Sequence, residues 1–384
     1  MRGPFARVTM ALALLALVAP VSGCDAAAGT AAPPARPCGL KIAVIGPLSG
    51  ASADLGTNIR SGAALAVEQY NGRHPDCPVT LQDFDSQSDP KQATALAQQI
   101  VADPKIMGVV GPAFSGESAA ALPLFDQGLV TIVSPSATRT NLSQRGWSTF
   151  HRLLGNDAAQ GPAAARYIDT VLRARKAFVI DDTGAYGRGL ADEVAATLSG
   201  KVVQRAAVPP RQVDFSSVVS QIRSAGADVV FYGGYYSSGG ALLKAMRNGG
   251  LTATFVGGDG VKDPGFVRAA GVRAAEGAVI TCACLPPERA SRDFPAHYRA
   301  GFGKDAGTYS AEGYDAASIF LAGFEADRTT RHDMEAFVDT YAHDGVTGRL
   351  QFTPQGELVD SAIVVWAYRV ADGTVVADRE IPRT

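Results

Sequence analysis

Short apolar runs alternate with amphipathic segments over most of the chain. The runs Lys41–Gly46, Met107–Val110 and Leu129–Val133 have the length of buried strands and stop at glycine, proline or serine. Between the last two, Ser115–Gln127 carries apolar residues at helical spacing. Strand and helix patterns that alternate in this way predict an α/β fold with a parallel sheet.

The same pattern starts again after Leu154. Apolar runs at Ala177–Ile180 and Asp228–Tyr232 lead into glycine-rich loops, as expected for a second parallel sheet. We therefore predict two Rossmann-like lobes joined by a three-stranded hinge, with a cleft between them. The first lobe would comprise residues 40–154 and about 285–355, and the second would comprise residues 155–284 and about 356–384.

The first residues predict export. Arg2 and Arg7 precede an apolar segment, Val8–Ala19, and the small residues of Val21–Cys24 follow it. Residues 1–23 therefore read as a signal peptide, and the ending resembles a lipobox that leaves a lipid on Cys24. The alternative is an ordinary signal peptide with an incidental cysteine. Residues 24–39 would form a flexible tether to the outer face of the cytoplasmic membrane.

The remaining cysteines fit an exported protein. Cys38 and Cys77 precede two strands that we expect to be parallel neighbours, so a disulfide between them is geometrically reasonable. Cys282 and Cys284 stand two apart on a predicted strand, where either a strained bridge or two buried thiols is possible. Metal binding is disfavoured, because no second cysteine pair or histidine cluster accompanies them.

Charge and motifs argue against several function classes. The chain has 35 Lys and Arg against 37 Asp and Glu without a basic patch, so no nucleic-acid partner is expected. No Gly-x-Ser-x-Gly, His-Glu-x-x-His or Gly-x-x-x-x-Gly-Lys-Ser/Thr motif is present. The five histidines are scattered and are interpreted as surface residues. We predict neither an enzyme nor a cofactor or metal requirement.

Two hydroxyl residues follow predicted strands close to predicted helices. Ser115 follows the strand that ends at Val110, and Thr138 follows the strand that ends at Val133. Helix N-termini present free N–H groups and attract anions, and open α/β sheets bind ligands at the carboxyl ends of their strands. The pair predicts a small anion site. The alternative is that both are ordinary helix caps.

Five segments in this order resemble the Leu/Ile/Val-binding proteins. These are solute-binding components of ABC importers with the type I periplasmic-binding-protein fold, and the resemblance covers about residues 40–370. The segments are Lys41–Gly50, Asp89–Ala93, Ser134–Thr138, Tyr186–Leu190 and Tyr232–Tyr235.

The resemblance implies a site for a zwitterionic amino acid. Ser115 and Thr138 would hold the ligand carboxylate. The Ser136 carbonyl oxygen and Asp259 would take the ammonium group, and three tyrosines would surround the side chain. The implied ligand-binding set is Ser115, Ser136, Ala137, Thr138, Tyr186, Tyr235, Asp259 and Tyr309.

The chain departs from the family pattern near this site. Asp259 replaces the usual glutamate, and Leu55 stands where many members have an aromatic residue. Gly116 and Glu117 replace a serine-rich run. Gln87 and Phe114 occupy the positions of a disulfide found in enteric members. The departures leave open a different amino acid, a small amide or another carboxylate as the ligand.

The resemblance implies a lipid-anchored, monomeric solute-binding protein that delivers an amino acid to an ABC permease. A sensor of an amino acid or amide, with the same fold but no permease, is the alternative. Fold alone does not distinguish the two roles.

Overall fold

Two β-sheets flanked by helices organise the computed structural model, which describes residues 38–291 and 293–382. The predicted signal peptide, Cys24 and nearly all of the predicted tether lie outside these residues. The first sheet has five parallel strands in the order β2-β1-β3-β4-β5. They are β1 (Lys41–Gly46), β2 (Thr80–Asp85), β3 (Ile106–Val110), β4 (Thr131–Ser134) and β5 (Phe150–Arg152).

The remaining strands form a second, seven-stranded sheet and a small hairpin. They are β6 (Ala177–Asp181), β7 (Val202–Ala207), β8 (Val229–Gly233), β9 (Thr254–Gly257), β10 (Val279–Cys282), β11 (Ala342–Asp344), β12 (Arg349–Gln351), β13 (Trp366–Ala371) and β14 (Thr374–Glu380). The second sheet has the order β14-β13-β10-β9-β8-β6-β7, and β11 pairs with β12. Its strands β6 to β10 are parallel, whereas β13 and β14 are antiparallel additions.

Helices connect the strands and cover the sheets. They are α1 (Ala53–Arg73), α2 (Pro90–Ala102), α3 (Ser115–Gln127), α4 (Asp157–Arg166), α5 (Ala185–Thr197), α6 (Ser216–Ala225), α7 (Tyr236–Asn248), α8 (Pro264–Ala270), α9 (Val272–Ala275), α10 (Asp293–Phe302), α11 (Ser310–Glu325) and α12 (Arg331–Asp339). None of the helices in this described part combines the length and the apolar character that a membrane span needs.

Helix termini follow local sequence signals. Asp89 caps α2 by accepting a hydrogen bond from the Lys91 amide at 2.8 Å, and Pro90 occupies the first helical position. Asn156 caps α4 in the same way through the Ala158 amide at 3.0 Å. The sequence pattern places the start of this helix four residues late, at Gly161.

Two other elements differ from the sequence prediction. Asn71 and Gly72 form a helix-breaking pair that predicts the end of α1, but the helix continues to Arg73. The Asn71 side chain instead donates to the Val79 carbonyl at 2.9 Å and accepts from the Val79 amide at 2.8 Å. The pattern also misses β14. This strand is largely exposed, so it lacks a clear apolar run, and it is held by its antiparallel pairing with β13.

The chain returns to the first sheet after β10. Helix α11 packs against α1 and β3, and α12 packs against β3 and β4. The chain then crosses back to add β13 and β14 to the second sheet. We use "first lobe" and "second lobe" for the two sheets with the helices packed on each. The residue boundaries given above for these lobes stay a prediction.

The structure contains two disulfides. Cys38 is bonded to Cys77, which joins the segments leading into β1 and β2. Cys282 is bonded to Cys284 at the end of β10, and both residues are buried. The sequence left a bridge and two buried thiols open for the second pair.

The prediction that all five histidines are surface residues is wrong for His151. The His151 side chain is buried in β5, its Nε2 lies 2.9 Å from Asp339 Oδ1, and its ring packs against Phe352. His151 therefore helps α12 to pack on the first sheet.

The contact between α1 and α11 depends on a close backbone approach. A Cβ added at Gly62 would overlap the Ser310 carbonyl oxygen, whereas nothing lies near a Cβ added at Gly72 in the same helix. We expect Gly62→Ala to lower the free energy of unfolding by about 1–3 kcal/mol, because the two helices must separate. Gly72→Ala should instead raise it by up to ~1 kcal/mol through helix propensity. Urea denaturation of both variants checks this, and equal effects would contradict the packing described.

Candidate functional site

A small pocket lies between the two lobes at the carboxyl ends of their parallel strands. Its free volume is about 10 Å³, which is room for about one water molecule. This volume is far below the ~300–1,000 Å³ usual for small-molecule sites, so the lobes lie closed on each other. Six of the eight predicted ligand-binding residues line it, whereas Ala137 and Thr138 are fully buried behind it. The lining residues are Leu55, Phe114, Ser115, Ser136, Tyr186, Tyr235, Asp259, Gly260 and Tyr309.

The side of the pocket on the first lobe presents hydrogen-bond donors. Ser115 is the first residue of α3, where the amides of the first turn lack intrahelical partners. Its hydroxyl accepts a hydrogen bond from the Arg139 amide at 3.2 Å, which links α3 to the loop after β4. The Ser136 hydroxyl donates to the Ala113 carbonyl at 2.5 Å and ties the same two segments together. This side is therefore suited to an anion.

A buried arginine holds the loop that carries Ser136 and Thr138. The guanidinium of Arg152, at the end of β5, donates to the Ala137 carbonyl at 2.7 Å and to the Arg139 carbonyl at 3.1 and 3.2 Å. Its Nη2 also lies 2.8 Å from Glu357 Oε1. Burial lowers the pKa of Arg152, while Glu357 opposes that change. Because both carbonyls accept hydrogen bonds from Arg152, this side chain holds the loop after β4 in position.

Asp259 forms the opposite side of the pocket. Its carboxylate accepts a hydrogen bond from Tyr186 at 2.8 Å and another from Tyr309. Tyr186 belongs to the second lobe, whereas Tyr309 precedes α11 on the first lobe. Burial raises the pKa of Asp259, and the hydrogen bonds from Tyr309 and Tyr186 partly oppose the rise. A carboxylate removed from water in this way favours a cationic partner.

Three aromatic rings close the pocket towards the cleft opening. The ring of Phe114 in the first lobe packs against that of Tyr235 in the second lobe, with 4.2 Å between centroids and a tilt of 32°. The Tyr235 ring lies 5.2 Å from that of Tyr186. The same three rings also line a larger outer cavity. Phe114 therefore limits the space beside the polar groups. Sequence reasoning treated it only as the site of a missing disulfide.

The outer cavity carries buried acids from both lobes. Glu117 of α3 accepts from Ser86 at 2.6 Å, and Asp182 accepts from the Gly184 amide at 2.8 Å. Burial raises the pKa of Glu117 to about 7 and that of Asp182 to about 6.

Polar contacts also join the lobes outside the pocket. The Arg139 guanidinium donates to the Ala185 carbonyl at 2.8 Å, and Arg268 of α8 lies 2.7 Å from Asp54 of α1. Together with the Tyr309–Asp259 contact, these pairs define a closed arrangement of the lobes.

Sequence reasoning missed the residues that support the pocket. Arg152 and Glu357 lie 205 positions apart along the chain, so no local pattern links them. An arginine inside the apolar run Phe150–Leu154 was the available signal, because a charge at such a position needs a partner. Within the described residues, no group of three or more His, Cys, Asp or Glu side chains is arranged to hold a metal ion.

Two lobes closed over a pocket with donors on one side and a carboxylate on the other define a ligand-binding protein of the two-lobed α/β class. The profile of the periplasmic binding protein family matches residues 39–374, so the chain belongs to that family. This confirms the resemblance to the Leu/Ile/Val-binding proteins and the type I periplasmic-binding-protein fold predicted from the sequence.

Individual relatives match over nearly their whole length. The Leu/Ile/Val-binding protein BraC3 of Rhizobium johnstonii is 31% identical over 88% of this chain and 93% of its own. A leucine-, isoleucine-, valine-, threonine- and alanine-binding protein of Pseudomonas aeruginosa is 30% identical over 86% and 90%.

Two solved structures of binding proteins have a fold similar to that of this chain. The leucine-binding protein LivK of Thermotoga maritima has a TM-score of 0.82 at 25% identity, and covers 89% of this chain and 98% of its own. LivJ of Streptococcus pneumoniae, in complex with isoleucine, also has a TM-score of 0.82 at 25% identity, over 89% and 99%. The protein is an extracytoplasmic solute-binding protein and not an enzyme.

Removal of the Arg152 guanidinium should destabilise the protein. Arg152→Met leaves Glu357 without its cation and the Ala137 and Arg139 carbonyls without this donor, so we expect the free energy of unfolding to fall by about 3–5 kcal/mol. Arg175→Met, at an exposed arginine, should change it by less than ~0.5 kcal/mol. Urea denaturation measures both. A similar small change in the two variants would show that the loop does not depend on Arg152.

Proposed function

We propose that this protein captures an amino acid in the interlobe pocket and delivers it to the permease of an ABC importer. The observation that carries the proposal is the pairing of a donor side, around Ser115, with a buried carboxylate, Asp259, in one closed pocket. A zwitterion has one anionic and one cationic group and matches both sides. The names of the relatives, which specify leucine, isoleucine and valine, support a branched-chain or related amino acid.

In this proposal each end of the ligand has its own partners. The carboxylate binds the Ser115 hydroxyl, the amides at the start of α3 and the Thr138 segment. The ammonium group binds Asp259 and the Ser136 carbonyl oxygen. Tyr186, Tyr235 and Tyr309 then surround the side chain, and Ala137 contributes backbone. Charge-assisted hydrogen bonds at both ends would supply most of the specificity for an α-amino acid.

Binding would involve a hinge motion. The closed pocket is small and the lobes touch through Arg139 and Arg268, so the lobes open to admit the ligand and close on it. The closed form would then dock, as a monomer, on the permease.

Attachment to the membrane would use the lipid on Cys24. A basic segment, an apolar segment and small residues before a cysteine support this part of the proposal. Residues 24–39 would then serve as a tether long enough to let the binding lobes reach the permease.

Removing a polar group from either side of the pocket should weaken binding. In isothermal titration with the twenty amino acids, we expect the wild-type protein to bind at least one of them. Ser115→Ala and Asp259→Asn should each weaken that binding by about tenfold or more, because each loses a charge-assisted hydrogen bond. Asp344→Asn serves as the control, since that carboxylate is exposed in the β11–β12 hairpin. Absence of heat with every amino acid would refute the amino-acid proposal.

Phe114 should limit the size of the ligand side chain. Phe114→Ala opens the space beside Tyr235, so we expect the ratio of affinities for a bulky over a small amino acid, such as leucine over alanine, to rise by about tenfold. Phe302→Ala, at a phenylalanine that does not line the pocket, should leave this ratio unchanged. An unchanged ratio in Phe114→Ala would show that another residue sets the limit.

A further inference from the structure

The closed pocket between Ser115 and Asp259 leaves little room for a ligand side chain. Its free volume is about 10 Å³, which is room for about one water molecule. The outer cavity, which is lined by the same three rings of Phe114, Tyr186 and Tyr235, has a free volume of about 600 Å³. This volume is within the range usual for small-molecule sites. A side chain that leaves the pocket past these rings therefore enters the outer cavity.

Both lobes contribute to the walls of the outer cavity. Ser52 precedes α1 and Pro90 begins α2 on the first lobe, whereas Ala185 begins α5 and Ser237 lies in the first turn of α7 on the second lobe. A ligand group in this cavity would contact both lobes when they are closed. The cavity is thus part of the same interlobe cleft as the pocket.

The charges that line the outer cavity are unbalanced. Its acids are Asp89, Glu117 and Asp182, and Arg211 is the only cation among the described residues that line it. Asp89 and Arg211 are exposed, whereas Glu117 is 1% exposed and Asp182 is 2% exposed. Buried carboxylates are unfavourable unless cations or donors compensate them. The cavity therefore favours a cationic ligand group.

Asp182 is the buried acid of this cavity with an oxygen left for a ligand. Its Oδ1 accepts a hydrogen bond from the Gly184 amide at 2.8 Å, and no side chain in the described part of the chain donates to its carboxylate. Both oxygens of Glu117, in contrast, have donors. Its Oε1 accepts from the Ser86 hydroxyl at 2.6 Å, and its Oε2 accepts from the Phe114 amide at 3.1 Å. A cation in the cavity would therefore bind Asp182 directly, while Glu117 adds to the negative potential.

The ring of Tyr235 connects the pocket to these two acids. It lies 5.2 Å from the ring of Tyr186, whose hydroxyl donates to Asp259 in the pocket. Burial raises the pKa of Tyr235 well above its usual range, and the charges of Asp182 and Glu117 add to the rise, so both carboxylates lie near this ring. Aromatic faces attract cations, and a long aliphatic stem packs on apolar surface while its charged end reaches polar groups. A side chain with these two parts fits the path from the pocket to Asp182.

We propose that the outer cavity is a subsite for the cationic end of a long, unbranched ligand side chain, so that the ligand is a basic amino acid of the arginine or lysine type. Its α-carboxylate and α-ammonium groups would occupy the two sides of the pocket, and the inference rests on that proposed function. The aliphatic stem lies against Tyr186 and Tyr235, and the guanidinium or ammonium group binds Asp182. The inference narrows the proposed amino acid to one with a positively charged side chain.

Titration calorimetry with two matched pairs of amino acids tests the inference. L-Citrulline has the shape of L-arginine without its charge, and L-norleucine has the stem of L-lysine without its ammonium group. We expect the wild-type protein to bind L-arginine or L-lysine at least about tenfold more tightly than the neutral counterpart, because only the cation pairs with Asp182.

Two variants separate the effects of charge and volume. Asp182→Asn keeps an oxygen that can accept from the Gly184 amide and removes the charge, so it should lower the charged-over-neutral affinity ratio by about tenfold. Ser237→Trp fills part of the outer cavity and should lower the ratio of affinities for the basic amino acid over L-alanine by about tenfold. Asp344→Asn and Ser199→Trp, at exposed positions, are the matched controls and should leave both ratios unchanged. Because each ratio compares two ligands in one variant, partial loss of folded protein does not change it.

Two results would overturn the inference and leave the proposed function in place. One is equal affinity within both pairs in a wild-type protein that binds another amino acid. The other is an unchanged charged-over-neutral ratio in Asp182→Asn, which would show that this carboxylate serves only the turn before α5. If the wild type binds no amino acid at all, the proposed function fails and the inference fails with it.

Discussion

The buried carboxylate of Asp259 is the constraint on which the pocket depends. Carboxylates removed from water are unfavourable unless donors or cations compensate them. Two phenols, one from each lobe, donate to this carboxylate, so both hydrogen bonds are present only when the lobes are closed. A ligand with an ammonium group would extend the same compensation. The hydrogen bonds that keep Asp259 in place are therefore also contacts that draw the lobes together.

The donor side of the pocket has a different physical basis. It uses backbone amides and hydroxyls, whose direction depends on how the loop after β4 is held. Arg152 holds that loop by its carbonyls, and Glu357 holds Arg152. Glu357 lies on the segment by which the chain returns towards the second sheet after β12. The orientation of the donor side is thereby linked to a segment that crosses between the lobes. A change in that segment would therefore alter the pocket.

Three of the residues that depart from the family pattern, Leu55, Phe114 and Asp259, line the same pocket. The shorter Asp259 is reached by both Tyr186 and Tyr309, and Leu55 and Phe114 line the same pocket. An aliphatic residue replaces an aromatic one on one wall, and a large ring occupies the wall shared with Tyr235. Under the proposed function, the residues that differ would shape the space around the ligand side chain, and the polar groups would bind its charged ends. Selectivity among amino acids would follow from these walls, and recognition of the zwitterion from the polar ends.

Much of this protein is determined by local sequence. Apolar runs bounded by glycine and proline define the strands, and caps such as Asp89 define helix starts, because these signals act over a few residues. Ser115, Thr138, Tyr186 and Asp259 each follow a predicted strand, which also identifies one edge of each sheet. The structure brings Ser115, Tyr186 and Asp259 into one pocket but leaves Thr138 buried behind it, because the pocket wall is decided by packing between distant segments.

Only the tertiary structure could decide the rest. The Arg152–Glu357 pair, the contact between the rings of Phe114 and Tyr235 and the His151–Asp339 contact all join segments that no local pattern connects. The strand β14 is likewise defined by its neighbour β13. Periodicity in a sequence reports which side of an element is buried, but not which element covers it. That depends on how the two lobes pack and close.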